Sequence, residues 1–120
     1  MKSLTAEDKK VKFAIIGCGH IGKRHGEMVS RNAEAELVAL CDVADKNSLG
    51  IEKFDVPFFA SIDELLSNDI EIDVLNICTP NGVHSEQAEK ALDKGIHIVV
   101  EKPIGLSKAK CENVIFKALR

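Results

Sequence analysis

Short apolar runs alternate with helix-patterned segments along most of this chain, and this alternation restricts the possible folds most strongly. The apolar runs occupy residues 11–16, 36–41, 57–59, 74–78 and 96–100. Runs without polar alternation are typical of strands that are covered on both faces. Strands that alternate with helices form parallel sheets through right-handed crossovers. The sequence therefore predicts an α/β fold, a doubly wound parallel sheet in three α/β/α layers.

The segments between the runs predict the helices. The first covers residues 20–31, a weakly patterned one covers 44–54, and Ser61 to Glu64 has the Ser-x-x-Glu spacing of a capping box. A further helix follows Pro80 and ends at Gly95, and Ser107 caps a last one. The predicted apolar positions are Ile21, His25, Met28 and Val29 in the first helix, Leu65 and Leu66 after the capping box, Val83, Ala88, Ala91 and Leu92 before Gly95, and Cys111, Val114, Ile115, Ala118 and Leu119 in the last.

Length and composition limit the class of protein. The 120 residues are enough for one domain, with residues 1–10 as a flexible tail and 11–120 as the folded unit. A net charge of −3 argues against a nucleic-acid partner, and no apolar run is long enough for a membrane helix. The four cysteines show no metal-binding spacing, so we expect buried thiols in a reducing compartment, the cytoplasm, and no metal site.

A glycine-rich loop joins the first strand to the first helix. Gly17, Gly19 and Gly22 form the pattern G-x-G-x-x-G, with His20 and Ile21 between the last two glycines. The first glycine permits a tight turn, the second lets the backbone approach a pyrophosphate, and the third lets helix and strand pack closely. The helix N-terminus presents free N–H groups to the phosphates. This loop predicts a dinucleotide site in a Rossmann fold.

Asp42 strengthens this interpretation because it ends the second strand, twenty residues after Gly22. An acid at this position accepts hydrogen bonds from the adenosine ribose of NAD and repels the 2′-phosphate of NADP. NAD is therefore the expected cofactor, although Lys46 lies close enough to leave NADP open. A methyltransferase also has a glycine-rich first loop and an acid after the second strand, so these two features do not exclude that class.

Two later loops resemble one family of oxidoreductases. Thr79, Pro80 and Asn81 follow the fourth strand with His84 shortly after, and Glu101-Lys102-Pro103 follows the fifth. Together with the glycine loop, these motifs resemble the glucose-fructose oxidoreductase, inositol dehydrogenase and MocA family (Gfo/Idh/MocA). The resemblance covers residues 11–120, and the Glu-Lys-Pro loop argues against a methyltransferase.

The resemblance implies an enzyme that exchanges a hydride between a nicotinamide and a secondary alcohol of a sugar, inositol or sugar nucleotide. It implies that Lys102 lies near the reacting carbon and that Thr79, Pro80 and Asn81 line the nicotinamide ribose side. Glu101 is expected either on the same ribose or in support of Lys102. A cation such as Lys102 stabilises the charge that develops on the alcohol oxygen. His84 either joins this site or only caps its helix, and His20 and His25 are expected to shape the phosphate helix.

The resemblance also implies a C-terminal substrate domain that is absent from the 120 residues. The isolated chain is therefore expected to bind cofactor without turning over substrate, and its apolar stripe at 111–119 to favour a homo-oligomer. Within the family, residues 76–82 and 115–119 look like the bacterial branch that acts on UDP-linked amino sugars and uronic acids in lipopolysaccharide synthesis. A non-catalytic NAD-sensing module remains the alternative, since it needs the glycine loop and Asp42 but not Lys102.

Overall fold

The computed structural model describes residues 10–79 and 84–100, which form a parallel sheet with helices on both faces. The strand order is β3-β2-β1-β4-β5, and every pairing is parallel. This arrangement confirms the doubly wound sheet. The strands are β1 (Val11–Ile16), β2 (Ala35–Cys41), β3 (Phe58–Phe59), β4 (Val74–Ile77) and β5 (His97–Val100), and the helices are α1 (His20–Arg31), α2 (Ile62–Leu66) and α3 (His84–Asp93). The predicted tail and the predicted last helix lie outside the described residues.

Two apolar clusters cover the two faces of the sheet. On one face, β1 and β4 pack against Leu65 of α2 and against Ala88 and Ala91 of α3. On the other face, Ile15 and Leu40 pack against Val29 of α1. Alternate residues of one strand enter opposite clusters, as a strand that is covered on both sides requires. The predicted three-layer arrangement is therefore confirmed.

Helix α1 packs only in part through the surface that its apolar spacing predicted: Val29 is buried, but Ile21 and Met28 are not. Gly22, Gly26 and Val29 are its buried residues, whereas Ile21 and Met28 are 45% and 62% exposed. The two glycines lack side chains, so the helix backbone approaches the sheet and the aromatic ring of Phe54 closely. The apolar positions Ile21 and Met28 are thereby left at the side of the helix.

The predicted helix over 44–54 is wrong. This stretch contains two separate 3-10 turns, Lys46–Ser48 and Glu52–Phe54. The carboxylate of Asp45 accepts a hydrogen bond from the backbone N–H of Asn47 at 2.9 Å and so starts the first turn. Gly50 between the turns has a φ of +67°, which a right-handed helix cannot include. The local cap and the left-handed glycine therefore override the weak apolar spacing.

Two other helix signals were correct. Ser61 caps α2, since its hydroxyl accepts a hydrogen bond from the backbone N–H of Glu64 at 3.1 Å. The reciprocal bond goes one residue further back, from Ala60 N–H to the Glu64 carboxylate at 3.2 Å. Gly95 ends α3 with a φ of +78°. Its backbone N–H donates to the carbonyl of Leu92, and the N–H of Ile96 donates to the carbonyl of Ala91, which together form a Schellman motif.

Among the described residues, no helix has the length and apolar character needed to cross a membrane. Within residues 10–79 and 84–100, no group of three histidine, cysteine or acidic side chains is placed to hold a metal ion.

Candidate functional site

A cavity of about 760 Å³ opens where the carboxyl ends of β1, β2 and β4 meet. The strand order reverses between β1 and β4, and ligands of such sheets bind at this switch point. The structure therefore brings the predicted residues that follow three different strands to one place. The cavity is lined by Ile16, Gly17, Gly19, Cys41, Asp42, Val43, Ser61, Ile62, Cys78, Thr79 and Gln87.

The three glycines of the loop have three different surroundings. Gly17 has a φ of +94°, and a Cβ there would lie 2.6 Å from the carbonyl carbon of Cys78. A Cβ on Gly22 would lie only 1.7 Å from the carbonyl oxygen of Gly17. A Cβ on Gly19, in contrast, would meet no atom of the described residues within 4 Å. Gly17 and Gly22 thus permit close backbone packing, while Gly19 lies open on the cavity wall.

The N-terminus of α1 faces the cavity at Gly19. Gly19 is the N-cap residue and has no side chain that could cap the N–H groups of the first turn, and that turn contains no acid. The carbonyl of Gly19 accepts the first intrahelical bond from Lys23 at 3.0 Å, and the next residues, His20 and Ile21, are exposed. Free N–H groups at a helix N-terminus bind anions, in particular phosphates.

Asp42 is tied to the glycine loop. One carboxylate oxygen accepts a hydrogen bond from the backbone N–H of Cys18 at 2.7 Å, and the other accepts one from Ala44 N–H at 2.8 Å. The backbone N–H of Gly17 also donates to the carbonyl of Cys41 at 2.8 Å. A carboxylate has about four acceptor positions, so two remain for hydroxyl donors in the cavity. The bond to the loop was not predicted from the sequence.

Two thiols lie buried beneath this loop. Cys18 and Cys41 are each 1% exposed, and the Cys18 thiol donates to the carbonyl of Cys41 at 3.4 Å. Burial, with a smaller contribution from the charge of Asp42, raises the pKa of Cys18 to about 11. Burial and the neighbouring Cys18 raise the pKa of Cys41 to about 12. These two are neutral buried thiols, as predicted, whereas Cys78 is only partly buried and lines the cavity.

Thr79 lies on the opposite side of the glycine loop from Asp42, and it has a partner that the sequence analysis missed. Its hydroxyl donates a hydrogen bond to Oε1 of Gln87 on α3. Gln87 lines the cavity and is partly buried. One signal was available in the sequence: Gln87 lies four residues before Ala91, so it interrupts the predicted apolar side of α3 with a polar group.

Several predicted site residues lie in parts of the chain that the structure does not describe. Pro80, Asn81, Glu101 and Lys102 lie outside the described residues, and so does the side chain of His84. Their roles remain predictions. The cavity walls that the structure describes come from the ends of β1, β2 and β4, from residues 61 and 62, and from α3.

The sheet order, the glycine loop and the cavity define a Rossmann-type dinucleotide-binding domain. Residues 11–119 match the family described as GFO_IDH_MocA, an oxidoreductase family with an NAD-binding Rossmann fold. The chain therefore belongs to the Gfo/Idh/MocA family, as the sequence motifs had predicted.

Individual relatives differ in their reactions. An inositol 2-dehydrogenase of Rhizobium meliloti is 36% identical over 99 residues, which cover 80% of this chain and 29% of that protein. A 2,7-anhydro-N-acetylneuraminate hydratase of Mediterraneibacter gnavus is 30% identical over 107 residues, covering 89% and 28%. The WlbA dehydrogenase of Bordetella pertussis, solved with NADH and UDP-GlcNAcA, superposes with a TM-score of 0.85 at 28% identity, covering 92% and 34%. The chain thus spans about a third of the length of these relatives.

Proposed function

We propose that this chain binds NAD in the cavity at the carboxyl edge of its sheet and is the cofactor-binding domain of a dehydrogenase. The observation that carries the proposal is the convergence of three features on one cavity: the open Gly19, the uncapped N-terminus of α1, and the Asp42 carboxylate. These features fit two parts of a dinucleotide, and the open Gly19 lets the pyrophosphate approach the backbone. The helix N-terminus suits the pyrophosphate, and Asp42 suits the adenosine ribose.

NAD is proposed over NADP because of the charges at the adenosine end. Asp42 lines the cavity there, and no lysine or arginine is among the described residues of the cavity wall. Lys46, which left NADP open, is exposed at the start of a 3-10 turn and does not line the cavity. A 2′-phosphate would therefore meet a carboxylate without a compensating cation, which is unfavourable in a partly enclosed site.

For the reaction, we propose hydride exchange with a secondary alcohol of a sugar, inositol or sugar nucleotide. Bound NAD would supply the hydride acceptor, and Lys102 would stabilise the charge on the alcohol oxygen. The inositol dehydrogenase and the complex of WlbA with NADH and UDP-GlcNAcA support this substrate class. A role in lipopolysaccharide synthesis, a cytoplasmic location, a homo-oligomer and a separate substrate domain stay predictions, as does the inactivity of the isolated chain.

The test is calorimetric titration of the chain with NAD and with NADP in one buffer. We expect NAD to bind at least about tenfold more tightly than NADP, a difference of about 1.4 kcal/mol. Asp42→Ala should weaken NAD binding at least about tenfold, since it removes the ribose acceptor and the bonds to the loop.

Asp45→Ala is the matched control, because this neighbouring acid is exposed and, among the described residues, accepts hydrogen bonds only from Asn47 and Ser48 of its own turn. Its NAD affinity should stay within about twofold of the unchanged chain. Equal binding of NAD and NADP, or equal losses in the two variants, would contradict the proposed role of Asp42. Absence of NAD binding by the unchanged chain would contradict the proposed function itself.

A further inference from the structure

Gln87 occupies an unusual position for a polar residue of α3. Its neighbour Ala88 is fully buried in the apolar cluster, and Glu86 on its other side is exposed. Gln87 lies between these environments, partly buried on the wall of the cavity. A long amide side chain at the border of a core loses side-chain entropy and hydration, so its retention there indicates a hydrogen-bonding role.

Of the two polar atoms of the Gln87 amide, one makes a hydrogen bond within the described part of the chain. Its Oε1 accepts from the hydroxyl of Thr79, which connects α3 to the end of β4. Its Nε2 has two N–H donors and makes no hydrogen bond to any described residue. Partly buried donors normally find a partner, and the adjoining space here is the cavity.

The order of the strands shows which part of a dinucleotide would lie next to Gln87. At the carboxyl edge, Asp42 follows β2, the glycine loop follows β1, and Thr79 follows β4, so the loop lies between the other two. If the adenosine ribose is at Asp42 and the pyrophosphate is at the N-terminus of α1, the second nucleotide extends over β4. Gln87 is bonded to Thr79 on this β4 side.

We propose that Gln87 donates a hydrogen bond from Nε2 to the nicotinamide nucleotide half of NAD while its Oε1 holds Thr79. This inference rests on the proposed function. The ribose hydroxyls and the carboxamide of that half are neutral acceptors, which an amide donor matches without adding a charge beside the nicotinamide ring. Gln87 is therefore a binding and positioning residue, which neither accepts nor donates the hydride.

The experiment compares two ligands and two variants by calorimetry. NAD carries both nucleotide halves, whereas ADP carries only the adenosine half and the pyrophosphate. Gln87→Leu removes both hydrogen bonds at nearly constant volume. Gln87→Glu keeps an acceptor for Thr79 and removes the donor. We expect both variants to weaken NAD binding about three- to tenfold, the effect of one lost hydrogen bond, with ADP affinity unchanged within about twofold.

Glu86→Leu is the control, since it makes the same replacement at the adjacent exposed position of the same helix. It should leave the affinities for NAD and ADP unchanged. Three results would overturn the inference: unchanged NAD affinity in both variants, parallel losses for NAD and ADP, or a loss in Gln87→Leu with none in Gln87→Glu. The last would mean that Gln87 only holds Thr79. If the unchanged chain binds no NAD, the proposed function fails together with this inference.

Discussion

The two βαβ units of this sheet have the same topology but are held together in different ways. In the first unit, β1-α1-β2, the helix approaches the sheet through glycines, and the loop after β1 is held by backbone contacts and by Asp42. In the second unit, β4-α3-β5, the helix packs through alanines, and Thr79 after β4 is bonded to the side chain of Gln87.

This difference in packing corresponds to the different parts that the two units contribute to the cavity. A backbone that binds a pyrophosphate must be approached closely, and the glycine loop of the first unit lines the cavity with Gly17 and Gly19, which have no side chains. The second unit contributes Thr79 and Gln87, which are side chains with hydrogen-bonding groups. We therefore expect the first unit to be sensitive to any added atom and the second unit to respond mainly to lost packing or lost hydrogen bonds.

Gly22→Ala is expected to have the largest effect on stability. The added Cβ would lie 1.7 Å from the carbonyl oxygen of Gly17, so the helix or the loop has to move. We expect a loss of at least about 3 kcal/mol in the free energy of unfolding, measured with urea, and loss of NAD binding. Gly26→Ala is the comparison, because its Cβ would meet the end of the Phe54 ring at 2.9 Å, and a ring end can shift. Equal stability of the Gly22→Ala variant and the unchanged chain would contradict the role given to the first unit.

Alkaline pH should reduce stability through the two buried thiols beneath the first loop. The ordinary cysteine pKa of 9 rises to about 11 in Cys18 and about 12 in Cys41. Their neutral forms therefore stabilise the fold fully below pH 9, and this contribution is lost as the pH rises from 9 towards 11 and 12. While a thiol is ionised only in the unfolded state, it lowers the free energy of unfolding by about 1.4 kcal/mol per pH unit.

Urea unfolding between pH 8 and pH 10.5 measures this slope. The chain has no tyrosine, which removes one other group that ionises in this range. A Cys18→Ala, Cys41→Ala double variant should show a much smaller slope, even if it is less stable at pH 8. Should the double variant keep the full slope, the thiols would not be its cause.

Ala91→Gly tests the packing of the second unit and is expected to have the smallest effect. Ala91 is fully buried against the sheet within α3. Its replacement removes a buried methyl group, worth about 0.8 kcal/mol, and costs about 1 kcal/mol in helix propensity. We expect the free energy of unfolding, measured with urea, to fall by about 2 kcal/mol in this variant and by about 1 kcal/mol in Glu89→Gly of the same helix. A loss no greater than that of Glu89→Gly would mean that Ala91 is not closely packed.

Features that depend on neighbouring residues could be predicted from the amino-acid sequence alone. The alternation of strands and helices, the glycine loop, the Ser61 cap and the helix end at Gly95 are local signals, and in the described residues the structure has them where they were predicted, except for the helix over 44–54. Part of the cavity lining could also be predicted, because residues that follow parallel strands meet at one edge of the sheet. The roles predicted for Lys102 and Glu101 came from a family resemblance and remain untested.

Contacts between groups from distant parts of the chain could not be predicted in this way, because they depend on tertiary packing. Asp42 bonds to Cys18, 24 residues away, and Gln87 lines the cavity because α3 packs against the sheet beside the end of β4. The buried surface of α1 combines Val29 with Gly22 and Gly26, because the loop and Phe54 lie too close to the helix for side chains at the two glycines. Apolar periodicity and caps report on contacts within one turn or one strand, whereas these contacts depend on how separate elements are positioned in space.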